Sequence, residues 1–172
     1  GGAPAYLMAF KSLGTTVYQI RARHRNEEVR EVIPAGYAGV LCTDRGRSYD
    51  AKELAGVKQQ KCLSHIQRSL SEVLVTKQGR GRSFTKQLKA LLTEAQALWR
   101  QGRDGVVPDY AGRVRELEAQ LTYHLRDRPL PDRDNRRLLN ELGWHHDQGD
   151  LVRFLHDPQV EPTNNTAERA LR

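Results

Sequence analysis

The sequence predicts an α/β protein, an incomplete mixed sheet interrupted by a large all-helical insertion. Short apolar and β-branched runs carry the chain as far as Lys61. From Cys62 to His156 the apolar residues recur at helical spacing. Sharp punctuation then returns, with Pro158 and Pro162 fixing an extended approach to a last helix. These observations divide the chain into a first core segment (residues 1–70), a helical insertion (71–156) and a closing core segment (157–172).

Each element has its own signal. Ala5–Phe10 (AYLMAF) and Gly14–Ile20 (GTTVYQI) read as two strands of a hairpin. Asn26 has N-cap chemistry, with Glu27 and Glu28 in a first turn. Val29, Val32 and Ile33 follow at helical spacing, and Pro34 closes the helix. Gly39–Thr43 is a short strand that ends at Asp44, and a brief helix around Ala51–Ala55 and a strand near Val57–Lys61 come next.

Beyond Cys62, the residues Leu63, Ile66, Leu70, Val73 and Leu74 mark one helix face, and Lys77–Arg82 (KQGRGR) forms a basic loop. A second helix carries Phe84, Leu88, Leu91, Leu92, Ala95, Leu98 and Trp99 and stops at Gly102. Pro108 suits the first turn of a third. Its Tyr110, Val114, Leu117, Leu121 and Leu125 are spaced as in a coiled coil. After Pro129 and Pro131, Leu138, Leu139 and Leu142 give a fourth helix, and Leu151–Leu155 a short one. Two long antiparallel helices form the expected spine. Asn165 is placed to cap a final helix beginning at Thr166.

The totals restrict the class. The chain has 172 residues, 38% of them hydrophobic and 28% charged, and suits one domain with a large insertion. No apolar run approaches the roughly 20 residues of a membrane helix, so no membrane partner is expected. A formal charge of +7 makes nucleic acid the expected polyanionic partner. Two cysteines, Cys42 and Cys62, are too few for a disulfide framework and fit a reducing cytoplasm. The chain opens Gly-Gly-Ala-Pro without an initiating Met and stops inside a helical pattern, so it reads as a piece of something longer.

An aspartate at the end of a buried strand is costly unless it is paired or ligates a cation. Asp44 holds that position, and Glu168 is the best acid of the last helix. The order β-β-α-β-α is compatible with an RNase H-like core lacking its first strand. Such a core gathers carboxylates from strand ends and a late helix around two Mg²⁺ or Mn²⁺ ions about 3.5–4 Å apart. Hard cations take oxygen ligands, hence Asp and Glu. Plainer roles exist for both acids. Asp44 can cap the turn through Arg45-Gly46, and Asn165 with Glu168 forms a capping-box pattern, with Arg172 at i+4 for an ion pair.

Three blocks, Ala38–Tyr49 (AGVLCTDRGRSY), Lys61–Leu70 (KCLSHIQRSL) and Glu161–Arg172 (EPTNNTAERALR), resemble the insertion-sequence-66 family of DDE transposases. The resemblance extends over essentially the whole chain, and it is the order and combination of the blocks that makes it specific. It implies that Asp44 is the second catalytic acid and Glu168 the third. Both are then ligands to two divalent cations, Mg²⁺ or Mn²⁺, in the complete protein. It implies that Cys62, His65, Asn164 and Asn165 support that site. The implied chemistry is hydrolysis at transposon ends followed by strand transfer into target DNA, by a homo-oligomer on DNA in the bacterial nucleoid. The family's first Asp precedes the hairpin, and no acid occurs here before Glu27. The expectation is that this polypeptide alone has no strand-transfer activity.

Cys62 and His65 lie three apart on one helix face, but structural zinc needs four ligands and no second pair is suitably spaced. Packing and hydrogen bonding near the active site is the expected role, and Cys42 is expected in the core. Lys77, Arg80, Arg82, Lys86 and Lys89 form a basic run without an acid, either a solvated face or a non-specific DNA contact. Arg169 and Arg172 are candidates for the same contact. His145 and His146 beside Trp144 read as a helix end with no site attached. Two other functional classes stay open: a non-catalytic DNA-binding helical module or transposase remnant, and an RNase H-like nuclease.

Overall fold

Strands Tyr6–Lys11 (β1) and Thr16–Arg21 (β2) pair antiparallel, with Tyr6 opposite Arg21 and Lys11 opposite Thr16. The structure, a computed structural model, describes residues 5–12 and 15–169. The expected strand start at Gly14 and the ion pair to Arg172 therefore lie outside the described residues. Strands Val40–Thr43 (β3) and Lys58–Lys61 (β4) pair in parallel, Thr43 opposite Lys61. The protein is thus mixed α/β, but the single mixed sheet is corrected. Among the described residues there are two separate two-stranded sheets. The hairpin is tied to the following helix through side chains instead of to β3 through a ladder. Gln19 and Arg21 of β2 both donate to the Glu31 carboxylate.

That helix, Asn26–Arg30 (α1), has Arg25 at its N-cap, one residue before the expected Asn26. The Glu28 carboxylate accepts the Arg25 N–H at 2.9 Å, while the Asn26 side chain accepts from Arg30 at 2.7 Å and is not used for capping. Val29 and Ile33 nevertheless face inward and join Leu54 and Val57 in a small core, with Phe10, Val32, Leu41 and Tyr49 around it.

The helical part holds the larger core. Helices Leu63–Thr76 (α2), Ser83–Arg103 (α3), Tyr110–His124 (α4) and Arg133–Asp147 (α5) supply most of it, with Leu151, Val152, Phe154, Leu155 and Val160 of the segment after α5, and α3 packs against both α2 and α4. Leu70, Leu88, Leu92, Leu121 and Leu142 are completely buried, each contributing about 1.5–3 kcal/mol over an exposed side chain. Helix α3 runs on through Gly102, because the left-handed residue that breaks the chain is Gly105, at φ 69°. Pro108 falls outside α4. The turn is made at Asp109, itself left-handed at φ 48°, whose carboxylate accepts the Gly112 N–H and caps the helix. A buried Thr85 hydroxyl donates to Asn135, which donates to the Gly81 carbonyl, joining the start of α3 to the start of α5.

Polar strand β4 links the two parts. Its Gln60 is fully buried and satisfied at both ends, donating to the Leu151 carbonyl and accepting the Phe154 N–H. Lys61 N–H donates to the Asp150 carbonyl, and Arg153 donates to the Gln59 carbonyl. A strand reading Lys-Gln-Gln-Lys is buried because residues 150–154 complete its hydrogen bonds.

Candidate functional site

The parallel register sets β3 and β4 to end together, and Cys62 N–H donates to the Thr43 carbonyl at 2.6 Å. Asp44 follows directly from β3, and Cys62 is the N-cap residue of α2. The Asp44 carboxylate accepts the Gly46 N–H at 2.7 Å, the strand-end turn that its neighbours Arg45-Gly46 suggest. One of its oxygens is thereby fixed. Tyr49 lies close by, and burial, together with the Asp44 charge, pushes its hydroxyl up to about 12. His24 is 3.2 Å from that hydroxyl.

Onto this edge the chain's last described segment returns. The Leu63 N–H donates to the Pro162 carbonyl at 2.9 Å, and the Asn164 N–H donates to the Cys62 sulfur at 3.4 Å. The Cys42 thiol reaches the Glu161 carbonyl at 3.9 Å. Cys42 is half-buried and so lies at the edge of the core, and burial above all pushes its thiol up to about 12. Helix Asn165–Arg169 (α6) begins one residue earlier than expected. The Asn164 carbonyl accepts from Ala167 and Glu168, so Asn164 occupies the cap position assigned to Asn165. Glu168 then lies 3.4 Å from His65 Nε2, an ion pair when the imidazole carries a proton. Helix α6 also packs against β1.

Cys62 and His65 thus each hold the returning segment, the sulfur through Asn164 and the imidazole through Glu168. Both cysteines are free. Buried Asn164 Oδ1 and His65 Nδ1 have no hydrogen-bond partner among the described residues. The carboxylates of Asp44 and Glu168 and the side-chain oxygen of Asn164 are oxygen donors of the kind hard cations take. Among the described residues, no group of three His, Cys, Asp or Glu side chains converges closely enough to hold a metal.

The basic run is less uniform than its sequence. Lys77 is committed to Asp132 and Asp134, both at 2.7 Å, and these carboxylates raise its pKa. Lys89 donates to the Ser71 hydroxyl at 2.6 Å. Arg80 and Arg82, in a single 3₁₀ turn at Gly79–Arg82, and Lys86 are exposed. Arg169 is exposed beside Glu168, and Arg172 lies outside the described residues.

Sequence reasoning missed a buried ionic group beside the site. Lys61 is wholly buried, 2.6 Å from Asp50 and 2.9 Å from the Gln59 side-chain oxygen. His145 is buried close by. Burial, with the Lys61 and Arg45 charges and against that of Asp50, lowers its imidazole to about 4. Nothing in a polar strand and a helix-end histidine signals that they share an interior. The helix end itself is as expected, since Trp144, His145 and His146 close α5.

Among the described residues no helix is long and apolar enough to cross a membrane. Comparison with curated proteins and with solved structures finds no significant match. The sequence model of the IS66 transposase family, by contrast, matches residues 5–172, nearly the whole chain. By that match the protein belongs to the IS66 family of transposases.

Proposed function

We propose that this chain supplies Asp44 and Glu168 as the metal-binding carboxylates of a DNA transposase acting on transposon ends. The reading takes the two small sheets and α6 as parts of an RNase H-like catalytic core, and α3–α5 as its helical insertion. The observation that supports it is the return of Glu161–Glu168, across the whole helical part, to the edge where Asp44 emerges.

Each residue there has a definable task. The Asp44–Gly46 bond fixes one carboxylate oxygen and leaves the other available. His65 orients Glu168, and Cys62 anchors the backbone of Asn164. Bound Mg²⁺ or Mn²⁺ would activate the attacking oxygen and stabilise the leaving one in phosphodiester hydrolysis and strand transfer. Arg80, Arg82, Lys86 and Arg169 are exposed and would meet phosphates.

In the transposase carrying this chain, Asp44→Asn and Glu168→Gln should each reduce metal-dependent cleavage at transposon ends to background while end binding persists. Cleavage that survives Asp44→Asn would overturn the reading. A second reading, a DNA-binding module without catalysis, is favoured by the use of Asp44 in its own turn. It requires both variants to bind and act as the parent does.

A further inference from the structure

A groove of about 740 Å³ lies between the turn that follows Asp44 and one face of α5, lined by Arg45, Arg47, Arg133, Arg136, Arg137 and Trp144. Its two acids are already matched. Asp50 pairs with buried Lys61 at 2.6 Å, and Glu141 lies 3.4 Å from Arg45. Among the described residues, Arg47, Arg133, Arg136 and Arg137 form no ion pair. Arg136 donates to the Leu130 carbonyl. Four guanidiniums without carboxylates in one concave surface repel one another unless an anion joins them.

Two further observations point to a ligand. Trp144, 48% exposed, presents a large aromatic surface at the groove and is held edge-on by the His145 ring, 5.0 Å between centroids. His145 also lines the groove, is 2% exposed, and its Nδ1 has no hydrogen-bond partner among the described residues. Guanidiniums that meet a row of phosphates, beside an open aromatic on which a base can stack, are the chemistry of a single-stranded nucleic acid site. In an intact duplex the base faces are closed to such stacking.

We infer that this arginine groove binds a single DNA strand, with phosphates on Arg47, Arg133, Arg136 and Arg137 and a base stacked on Trp144. Arg45 is the next residue after Asp44, so the groove would lead an unpaired strand away from that carboxylate. The inference rests on the reading of the chain as a DNA-handling one and extends it to a strand that has left the duplex.

The test is metal-free binding of the 172-residue chain to oligo-dT of roughly 16 nucleotides, and to a duplex of equal length, by anisotropy and tryptophan quenching. Trp144 and the three α5 arginines are exposed, so variants there leave both cores intact. The expected result is quenching by the single strand that is absent in Trp144→Phe, since Trp99 lies against the core. Trp144→Ala should lose about tenfold in single-strand affinity, within the usual range for one stacked base. Arg133→Gln/Arg136→Gln/Arg137→Gln should lose more and flatten the salt dependence by about two units of log–log slope. Single-strand affinity and quenching unchanged in all these variants would overturn the inference while leaving the DNA-handling reading standing. Absence of DNA binding by the parent chain, to either probe, would overturn both.

Discussion

The helical part and the strand-bearing part of this protein solve burial in opposite ways. In the helical part, leucines of four helices meet one another in a continuous apolar core. In the strand-bearing part the apolar core is small, and the sheet that reaches the helices is built from Lys-Gln-Gln-Lys. Apolar burial is non-directional and tolerates local rearrangement. Buried polar groups hold one geometry, since each unmade bond leaves its full desolvation cost. The candidate site lies where the second solution operates, at the ends of β3 and β4. The difference suggests a division of labour, with bulk stability in the helices and fixed geometry beside Asp44.

The sharpest way to break that comparison is to unpair Lys61. Asp50→Ala leaves a wholly buried ammonium without its carboxylate and should cost about 3–5 kcal/mol in denaturant unfolding. Adding Lys61→Met should restore much of the loss, because an apolar side chain needs no partner. If Asp50→Ala is neutral, the ionic group does not hold the strand-bearing part. In the helical part, Leu88→Ala should cost about 2–5 kcal/mol through lost burial and the cavity left behind, with no second-site rescue by a polar change.

Acid should act through the buried imidazoles of α4 and α5. The folded imidazole of His145 is lowered to about 4, and that of His124 is also lowered by burial. A histidine depressed in the folded state binds fewer protons than its unfolded counterpart, so stability falls as pH drops from about 6.5 toward about 4. The loss should amount to about 1–3 kcal/mol for His145, and His145→Gln should remove that part of the pH dependence. A parent chain whose stability is flat across this interval contradicts the buried neutral imidazole. Smaller still, Lys77→Met releases Asp132 and Asp134 at the start of α5 and should lower stability only slightly, because the pair is screened by solvent. Ile20→Thr on the exposed hairpin face should change stability by about 0.5 kcal/mol or less.

The two parts were also unequally legible in the sequence. Helices α2–α5 followed from the spacing of Leu and Val alone, because an amphipathic helix writes its buried face into its period. Their ends shifted by one or two residues where a left-handed turn was made, at Gly105 and Asp109, in place of the more conspicuous Gly102 and Pro108. The strands were found, but not their separation into two sheets, which depends on side chains of β2 turning to Glu31. At the candidate site, Asp44 was legible as an acid ending a strand, and the block around Glu168 as the start of a helix. Lys61, Asp50 and His145 were not, because what makes a polar residue interior is a distant partner, and no local period records it. Arg133, Arg136 and Arg137 carry no such local signal either, since it is the turn after β3 that sets Arg45 and Arg47 opposite them.

Under the proposed function, Asp44 and Glu168 serve one metal site, with Cys62 and His65 holding the segment that carries Glu168. A Mn²⁺ titration of the parent, Asp44→Asn, Glu168→Gln and the double variant, read by electron paramagnetic resonance, tests it most directly. Ligands to the same ions are not independent, so the double variant should lose little more affinity than either single one. Titrations that are unchanged in the variants, or losses that simply add, would contradict a shared site.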